Sequence, residues 1–177
     1  LPPLHLLSYS TLLGTSLYQS FILTKLSYQS LPRPAFISLQ KRVFPVYFRL
    51  QTGLLILCAI TVPPLGLFSL VRSKSMWDGV LFGIAGVTAV LNLGVYEGRT
   101  RRGMVERVEQ AKRDKIQQDS AAGSGYSATE GADSEGPSDQ MRRLNRVFSK
   151  NHAMCIHLNL ITMGAMLVYG WRLASKM

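Results

Sequence analysis

The fold of this chain is decided by stretches such as residues 153–171, which read AMCIHLNLITMGAMLVYGW and contain no Asp, Glu, Lys or Arg. A helix rises 1.5 Å per residue, so a stretch of this length covers about 28 Å. The hydrocarbon core of a bilayer is ~30 Å thick. The stretch therefore predicts a transmembrane helix.

Three further stretches, residues 4–24, 50–71 and 79–96, are equally free of charged side chains. A soluble bundle would need amphipathic helices to cover its core, and four fully apolar helices leave none for that task. The sequence thus predicts an all-α, polytopic membrane protein, a four-transmembrane-helix bundle with one membrane domain over residues 1–177. We expect the spans at residues 4–24, 46–71, 77–96 and 152–171.

The segments between the predicted spans differ in character. Apolar residues recur at helical spacing within residues 35–44, opposite two basic residues, which predicts an interfacial helix. Pro63 and Pro64 remove two backbone donors and should kink or end the second span. After Tyr96, alternating charges predict that the third helix continues along the membrane surface. Residues 117–140 are too polar to bury a core and predict a long disordered cytosolic loop.

Small residues recur at the start of the third predicted span. Gly79 and Gly83 are four residues apart and Gly86 follows them. Such spacing lets two helix backbones approach each other closely in a membrane. We interpret these glycines as helix-packing positions, within one molecule rather than between two.

Basic residues are distributed unevenly over the predicted loops. Sixteen of the 20 Lys and Arg residues fall in the two long loops, and four fall on the opposite side. Because basic loops stay in the cytosol, the count predicts cytosolic long loops and places both termini on the non-cytosolic side. The net charge of +10 is concentrated on that face. It predicts contact with the lipid bilayer and with anionic cytosolic lipid headgroups, and no nucleic-acid partner, whereas a protein partner or a homo-oligomer stays open.

Polar residues gather where the third and fourth spans meet the cytosol. Helices joined by a cytosolic loop have these ends at the same depth, so we expect the side chains to form a cluster. The interpretation is either a hydrogen-bonded structural seam or a ligand or proton site, since polar groups inside a membrane are functional candidates. The candidate residues are Tyr47, Asn92, Glu97, Arg99, His152 and Asn159.

The spacing of cysteines and histidines predicts no metal site and no cofactor. Cys58 and Cys155 fall in separate spans without a metal-ligand motif. His5 and His157 lie near opposite ends of their predicted helices, and their depths differ by about 20 Å. They cannot share one haem iron.

Several motifs resemble the transmembrane protein 205-like family of small four-helix eukaryotic membrane proteins. They are residues 30–33 (SLPR), 44–48 (FPVYF), 97–100 (EGRT) following Asn92, and Asn151-His152 followed by Asn159-Leu160. The family has Pro where this chain has Gly98, which loosens the exit of the third helix. The resemblance implies a multi-pass protein of the endomembrane system, in the endoplasmic reticulum or secretory membranes, without an established reaction. It also implies a distant architectural similarity to fungal anthrone oxygenases.

The sequence therefore favours an integral membrane protein that is non-enzymatic and acts through helix packing and through lipid or partner contacts. One alternative is a cofactor-poor membrane oxygenase of the anthrone-oxygenase type, with His152 and Asn159 as polar anchors and an apolar cavity beside them. Another alternative is a small transporter. A closed, fully hydrogen-bonded polar seam would favour the first hypothesis over the other two.

The charge distribution yields a testable topology. A cysteine introduced by Ser127→Cys should be labelled by a membrane-impermeant maleimide only after the membrane is opened, because the loop is predicted to be cytosolic. Lys176→Cys is the control on the predicted non-cytosolic side and should react in intact cells or, for an internal membrane, in inside-out vesicles. The reverse labelling pattern would contradict the predicted orientation.

Overall fold

The computed structural model describes residues 2–63, 66–72, 76–123 and 137–175. Within these ranges the chain forms helices and turns and no strand. The α-helices are α1 (Pro2–Leu17), α2 (Thr24–Ser30), α3 (Arg33–Thr61), α4 (Leu67–Arg72), α5 (Met76–Leu91), α6 (Glu97–Gly123) and α7 (Asp139–Ala174). Two π-helical turns, Tyr18–Leu23 and Asn92–Tyr96, join α1 to α2 and α5 to α6.

Three of the described helices are long and apolar enough to cross a bilayer, namely Arg33–Thr61, Met76–Ser120 and Asp139–Ala174. The chain is therefore an all-α membrane protein, as its composition predicts. The first predicted span, residues 4–24, falls on α1 and the following π-helical turn. Because the helix type changes there, α1 itself has only 16 residues, and this span stays a prediction.

Pro45 and Pro63 have different effects on α3. Residues 35–44 form no separate interfacial helix, because α3 continues through Pro45 as one helix. An internal proline removes one backbone donor and crowds the carbonyl four residues earlier, yet α3 is continuous at Pro45. Pro63, in contrast, follows the end of α3 at Thr61, and a turn then leads into α4. Gly66 adopts a φ of 64° in this turn, a left-handed conformation that favours glycine.

Helices α6 and α7 extend past the apolar stretches as a helical pair. Residues 117–123, predicted as the start of a disordered loop, belong to α6, and residues 124–136 lie outside the described part of the chain. Ser138 caps α7 by accepting a hydrogen bond from the Met141 amide, and its hydroxyl donates to Asp114 at 2.9 Å. These bonds fix the start of α7 against α6. We call this end of the bundle the extended end.

The opposite end carries two exposed tryptophans, Trp77 and Trp171, and we call it the tryptophan end. Indole rings of this kind suit the membrane interface. Close by, Arg172 forms an ion pair of 2.7 Å with the buried Asp78. The acid and the base come from α5 and α7, so the pair joins the ends of these two helices.

A buried histidine links three helices near the tryptophan end. His5 Nδ1 lies 3.1 Å from the carbonyl oxygen of Cys58 and 3.2 Å from the hydroxyl of Thr61. Its Nε2 lies 2.7 Å from the hydroxyl of Tyr169. Both ring nitrogens are thus satisfied, as a buried polar side chain requires. We therefore interpret the polar groups at the tryptophan end as structural.

An apolar layer separates the two ends. Its side chains come from α1, α3, α5 and α7 and are almost fully buried. They include Leu12, Leu55, Cys58, Ala85, Ala89 and Met166. Small residues on α5 let α7 pack closely against it, and Tyr9 inserts its hydroxyl toward the Met166 carbonyl at 3.0 Å.

The Tyr9 contact predicts a strict requirement for glycine at position 170. A Cβ at Gly170 would overlap the Tyr9 hydroxyl, so Gly170→Ala should lower the free energy of unfolding by about 1–3 kcal/mol. Gly164→Ala on the same helix is the matched control, since a Cβ there meets nothing within 4 Å. It should leave the melting temperature in detergent unchanged or raised.

In a Tyr9→Ala background, Gly170→Ala should cost much less stability, because the three atoms nearest to the added Cβ all belong to the Tyr9 side chain. Equal melting temperatures for Gly170→Ala and Gly164→Ala would show that the close approach of α1 and α7 is not as described.

Candidate functional site

A partly open cavity of about 250 Å³ lies at the extended end, where the apolar stretches of α3 and α7 begin and that of α5 ends. The π-helical turn after α1 and helices α2, α3, α6 and α7 all contribute to its wall. Its rim includes the exposed apolar side chains of Phe21, Ile156 and Leu160. This part of the rim is apolar, whereas the exposed side chains of Lys41 and Arg101 also line the cavity.

Asn159 forms the floor of the cavity and joins three helices. Its Oδ1 accepts hydrogen bonds from the Tyr47 hydroxyl at 2.7 Å and from Gln51 Nε2 at 2.9 Å. Its Nδ2 donates to the Ser20 hydroxyl at 2.8 Å. The Gln51 amide also lies 3.4 Å from the Ser16 hydroxyl. Two of the predicted site residues, Tyr47 and Asn159, are therefore in direct contact.

The π-helical turns shape the cavity. The Thr24 amide bonds to the Gln19 carbonyl five residues earlier, and the Thr24 hydroxyl reaches the same oxygen at 2.8 Å. This wider turn places Gln19 and Ser20 in the cavity wall. Single π-helical turns inside α-helices are frequent at functional sites.

Several polar atoms around the cavity are buried and make no hydrogen bond among the described residues. Both amide atoms of Gln40 are in this state, although the residue is only 1% exposed. Nδ1 of His152 and Oε1 of Glu97 share it, and all three side chains line the cavity. Each such group in a native protein calls for an explanation, such as a bound molecule.

Glu97 forms its ion pair with Arg101 and not with Arg99, the arginine among the candidate residues. Arg101 Nε lies 3.3 Å from Glu97 Oε1, close enough for an ion pair although the atoms are not aligned for a hydrogen bond. Arg101 is one helical turn after Glu97 and also lines the cavity. Arg99 is exposed and lies over the Tyr96 ring, with 6.0 Å between its guanidinium carbon and the ring centroid. It does not join the other candidate residues.

His152 belongs to a stack of flat groups that leads away from the cavity. Its ring is nearly parallel to that of Phe148, with an interplanar angle of 11° and centroids 5.4 Å apart. The guanidinium carbon of Arg107 lies over the Phe148 ring, 4.5 Å from its centroid. Burial, with a smaller contribution from the charge of Arg33, lowers the pKa of Arg107. The stack orients the imidazole at the cavity wall.

Asn92 lies beside the cavity and is completely buried. Its Nδ2 donates to the Cys155 carbonyl at 3.0 Å, and its Oδ1 makes no hydrogen bond within the described ranges. The Thr100 hydroxyl lies 3.5 Å from the sulfur of the same cysteine. Asn92 thus ties the π-helical turn after α5 to α7 and holds the cavity wall without lining it.

The glycines of the third predicted span line an apolar groove between α3 and α5, away from the cavity. A Cβ at Gly79 would meet the Leu70 carbonyl oxygen at 2.6 Å, so this glycine allows α4 to approach α5. A Cβ at Gly83 or Gly86 would meet nothing within 4 Å. For these two positions helix packing stays a prediction.

The histidines outside the cavity are far from one another in the fold. His5 lies at the tryptophan end, and His157 is exposed, with its Nδ1 2.6 Å from the Ala153 carbonyl. Among the described residues no group of three or more His, Cys, Asp or Glu side chains has the arrangement of a metal site.

A family model described as a domain of unknown function, DUF4149, matches residues 7–109, more than half of the 177 residues. The chain belongs to the DUF4149 family. The matched region includes the π-helical turn after α1, helices α2 and α3, and the first part of α6, which together supply much of the cavity wall. No solved structure matches the chain.

The chain is also similar to the Xanthocillin biosynthesis cluster protein D of Aspergillus fumigatus. The two are 40% identical over 175 residues, which cover 99% of this chain and 90% of the relative. These findings correct the assignment to the transmembrane protein 205-like family, because the matches are to DUF4149 and to this cluster protein. The motifs behind that assignment are short and lie at the ends of apolar helices, where the membrane restricts composition in many proteins.

Sequence reasoning missed the two glutamines of α3, Gln40 and Gln51, which are both 1% exposed. Gln40 lies in a segment that the sequence predicted to be an interfacial helix, so its burial was not expected. Gln51 follows the basic Arg49 and reads as the polar start of a span. The available signal was their spacing, since Gln40, Tyr47 and Gln51 lie at helical intervals on one face.

The hydrogen bonds in the floor of the cavity predict that the Tyr47 hydroxyl stabilises the fold. Tyr47→Phe removes the hydroxyl that donates to Asn159 and accepts from Gln51, and it should lower the free energy of unfolding by about 0.5–2 kcal/mol. Tyr28→Phe is the matched control because Tyr28 is 70% exposed. Unfolding of both variants in a denaturing detergent series measures the difference. An equal stability of the two variants would contradict a structural role for these bonds.

Proposed function

We propose that this membrane protein binds a small, mainly apolar molecule in the cavity at its extended end, and that it serves small-molecule biosynthesis in this way. One observation carries the proposal: two side chains that line the cavity, Gln40 and His152, have buried polar atoms with neither a hydrogen-bond nor an ion-pair partner among the described residues. A purely structural seam would be hydrogen-bonded and closed. A bound molecule supplies the missing partners.

The size and wall of the cavity suit a compact aromatic compound. Its volume of about 250 Å³ is just below the ~300–1,000 Å³ of sites that hold drug-sized ligands. The rings of Phe44 and Phe48 form part of the wall, and aromatic walls favour flat apolar molecules. The similar Aspergillus fumigatus protein is described as part of a xanthocillin biosynthesis cluster, which supports a pathway compound as the ligand.

The surroundings of the site follow from the charge distribution. We place the extended end in the cytosol, because sixteen of the 20 Lys and Arg residues lie in the predicted cytosolic loops. Anionic headgroups are the expected neighbours of the basic residues of α6 and the start of α7. In this orientation, the cavity mouth opens to the cytosolic leaflet.

A cofactor-poor oxygenase is the second candidate. His152 lines the cavity and its Nδ1 makes no hydrogen bond in the described structure, so the imidazole is available to take a proton from a phenolic or enolisable substrate. This function requires oxygen uptake when substrate is added, whereas a binding protein requires none. Oxygen consumption therefore separates the two candidates. A transporter requires in addition a second opening, and the apolar layer around Met166 lies in that path.

The cavity can be closed by a single substitution at its rim. Ile156→Trp places a large ring at the mouth, so compounds that copurify with the protein in mild detergent should fall at least tenfold. Ile161→Trp is the matched control, since Ile156 and Ile161 are 45% and 46% exposed on the same helix and only Ile156 lines the cavity. Mass spectrometry of protein from its own host membranes measures the compounds.

Two outcomes would contradict the proposed function. One is that no small molecule copurifies with the unsubstituted protein in excess over Ile156→Trp. The other is that both tryptophan variants lose the compound equally, which would assign it to the lipid-facing surface of α7.

A further inference from the structure

The burial of the Gln40 side chain at the cavity wall is unfavourable for the stability of the fold. The side chain is 1% exposed, it lies beside apolar rings, and neither its Nε2 nor its Oε1 has a partner among the described residues. A buried polar group without a hydrogen bond destabilises a protein, whereas an apolar side chain of the same shape does not. Packing alone therefore does not account for a glutamine at this position.

The other glutamines near the cavity differ from Gln40. Gln51 Nε2 lies within 3.4 Å of three oxygen atoms, on Ser16, Tyr47 and Asn159. Gln19 Nε2 lies 3.4 Å from the Thr24 hydroxyl. These two amides serve the hydrogen-bonded floor, although Gln51 Oε1 has no partner among the described residues. Gln40 is the one of the three described glutamines in which both amide atoms are without a partner.

The chemistry of an amide restricts what can satisfy it. Gln40 presents a donor and an acceptor side by side on one planar, uncharged group. The matching group has an acceptor and a donor in the same plane, so that two parallel hydrogen bonds form. Primary carboxamides, lactams and undissociated carboxylic acids have this arrangement. Esters, ketones and ethers have the acceptor alone.

The charges of the cavity agree with a neutral ligand group. Arg101 is paired with Glu97, and Lys41 lies on the exposed side of the rim, so the inner wall at Gln40 carries no unbalanced charge. Near the apolar stretches, a neutral group is also far less costly to bury than an ion.

We propose that the molecule bound in this cavity has an aromatic body and a neutral polar group with an adjacent donor and acceptor, and that the side-chain amide of Gln40 recognises this group. The inference rests on the proposed function, because it names the class of ligand for the same cavity. It assigns to Gln40 the role of a specificity-determining residue.

Two probe molecules of nearly equal shape test the inference. 2-Naphthamide has a carboxamide, and 2-acetylnaphthalene has a methyl group in place of the amide nitrogen. Binding to the full chain in nanodiscs is measured by equilibrium dialysis, with empty nanodiscs of the same lipid as the blank for partition. We expect 2-naphthamide to bind about tenfold more tightly or better, because the ketone leaves Gln40 Oε1 without a donor.

Substitution of Gln40 provides the second part of the test. In Gln40→Met, which keeps the length of the side chain, the two probes should bind with equal affinity. Gln117→Met on the exposed face of α6 is the control and should keep the preference. The melting temperature of Gln40→Met without ligand should be unchanged or higher, because the substitution removes unpartnered polar atoms.

Each failure has a separate meaning. If the unsubstituted protein binds both probes equally, recognition by Gln40 is overturned and the proposed cavity stands. A marked fall in the melting temperature of Gln40→Met would show that structural partners such as bound water satisfy the amide, which also overturns the inference. If neither probe binds, the compound that copurifies with the protein is identified instead. A compound without an adjacent donor and acceptor overturns the inference. The absence of any copurified compound overturns the proposed function.

Discussion

The hydrogen bonds of Asn159 are the constraint on which the cavity depends. An asparagine within the apolar stretch of a membrane helix finds no water, so its partners come from neighbouring helices. Asn159 accepts from two side chains of α3 and donates to the π-helical turn after α1. These bonds fix how α1, α3 and α7 are rotated against each other. The cavity is the space that remains above them, where the helices begin to diverge.

The two ends of the bundle treat their polar groups in opposite ways. At the tryptophan end, both ring nitrogens of His5 have partners and Asp78 is paired with Arg172. At the extended end, Gln40 and His152 retain buried atoms without partners. The apolar layer around Met166 separates the ends, so the satisfied end can stabilise the bundle while the other remains available to a ligand. This division explains how a small membrane protein keeps both a stable fold and an incomplete polar site.

The position of the cavity connects this chemistry to the membrane. One part of its rim is apolar, and its polar wall lies where the charged helices begin. Compounds of low solubility in water collect in the membrane, where such a site can take them up without passage through water. The chain belongs to the DUF4149 family, and a relative that is 40% identical to it is described as a xanthocillin biosynthesis cluster protein.

The sequence by itself determined the class of the protein. Charge-free stretches long enough to cross a bilayer predict helices, and the structure has three helices of that kind. It also predicted the polar cluster to the extent that Tyr47 and Asn159 meet and that Glu97 and His152 line one cavity. Helix class and depth along a helix are accessible because a sequence records composition and position directly, whereas the role of the polar cluster stays a prediction.

Only the tertiary structure decided which polar groups meet and which remain without partners. Helix rotation turns Arg99 outward and brings Arg101 to Glu97, a difference of two residues that depth alone does not resolve. The continuity of α3 through Pro45 buries Gln40, which the sequence placed at the membrane surface. Such outcomes depend on how helices pack around Asn159. A periodic apolar pattern does not encode that packing, because the lipid-facing and core-facing sides of a membrane helix are both apolar.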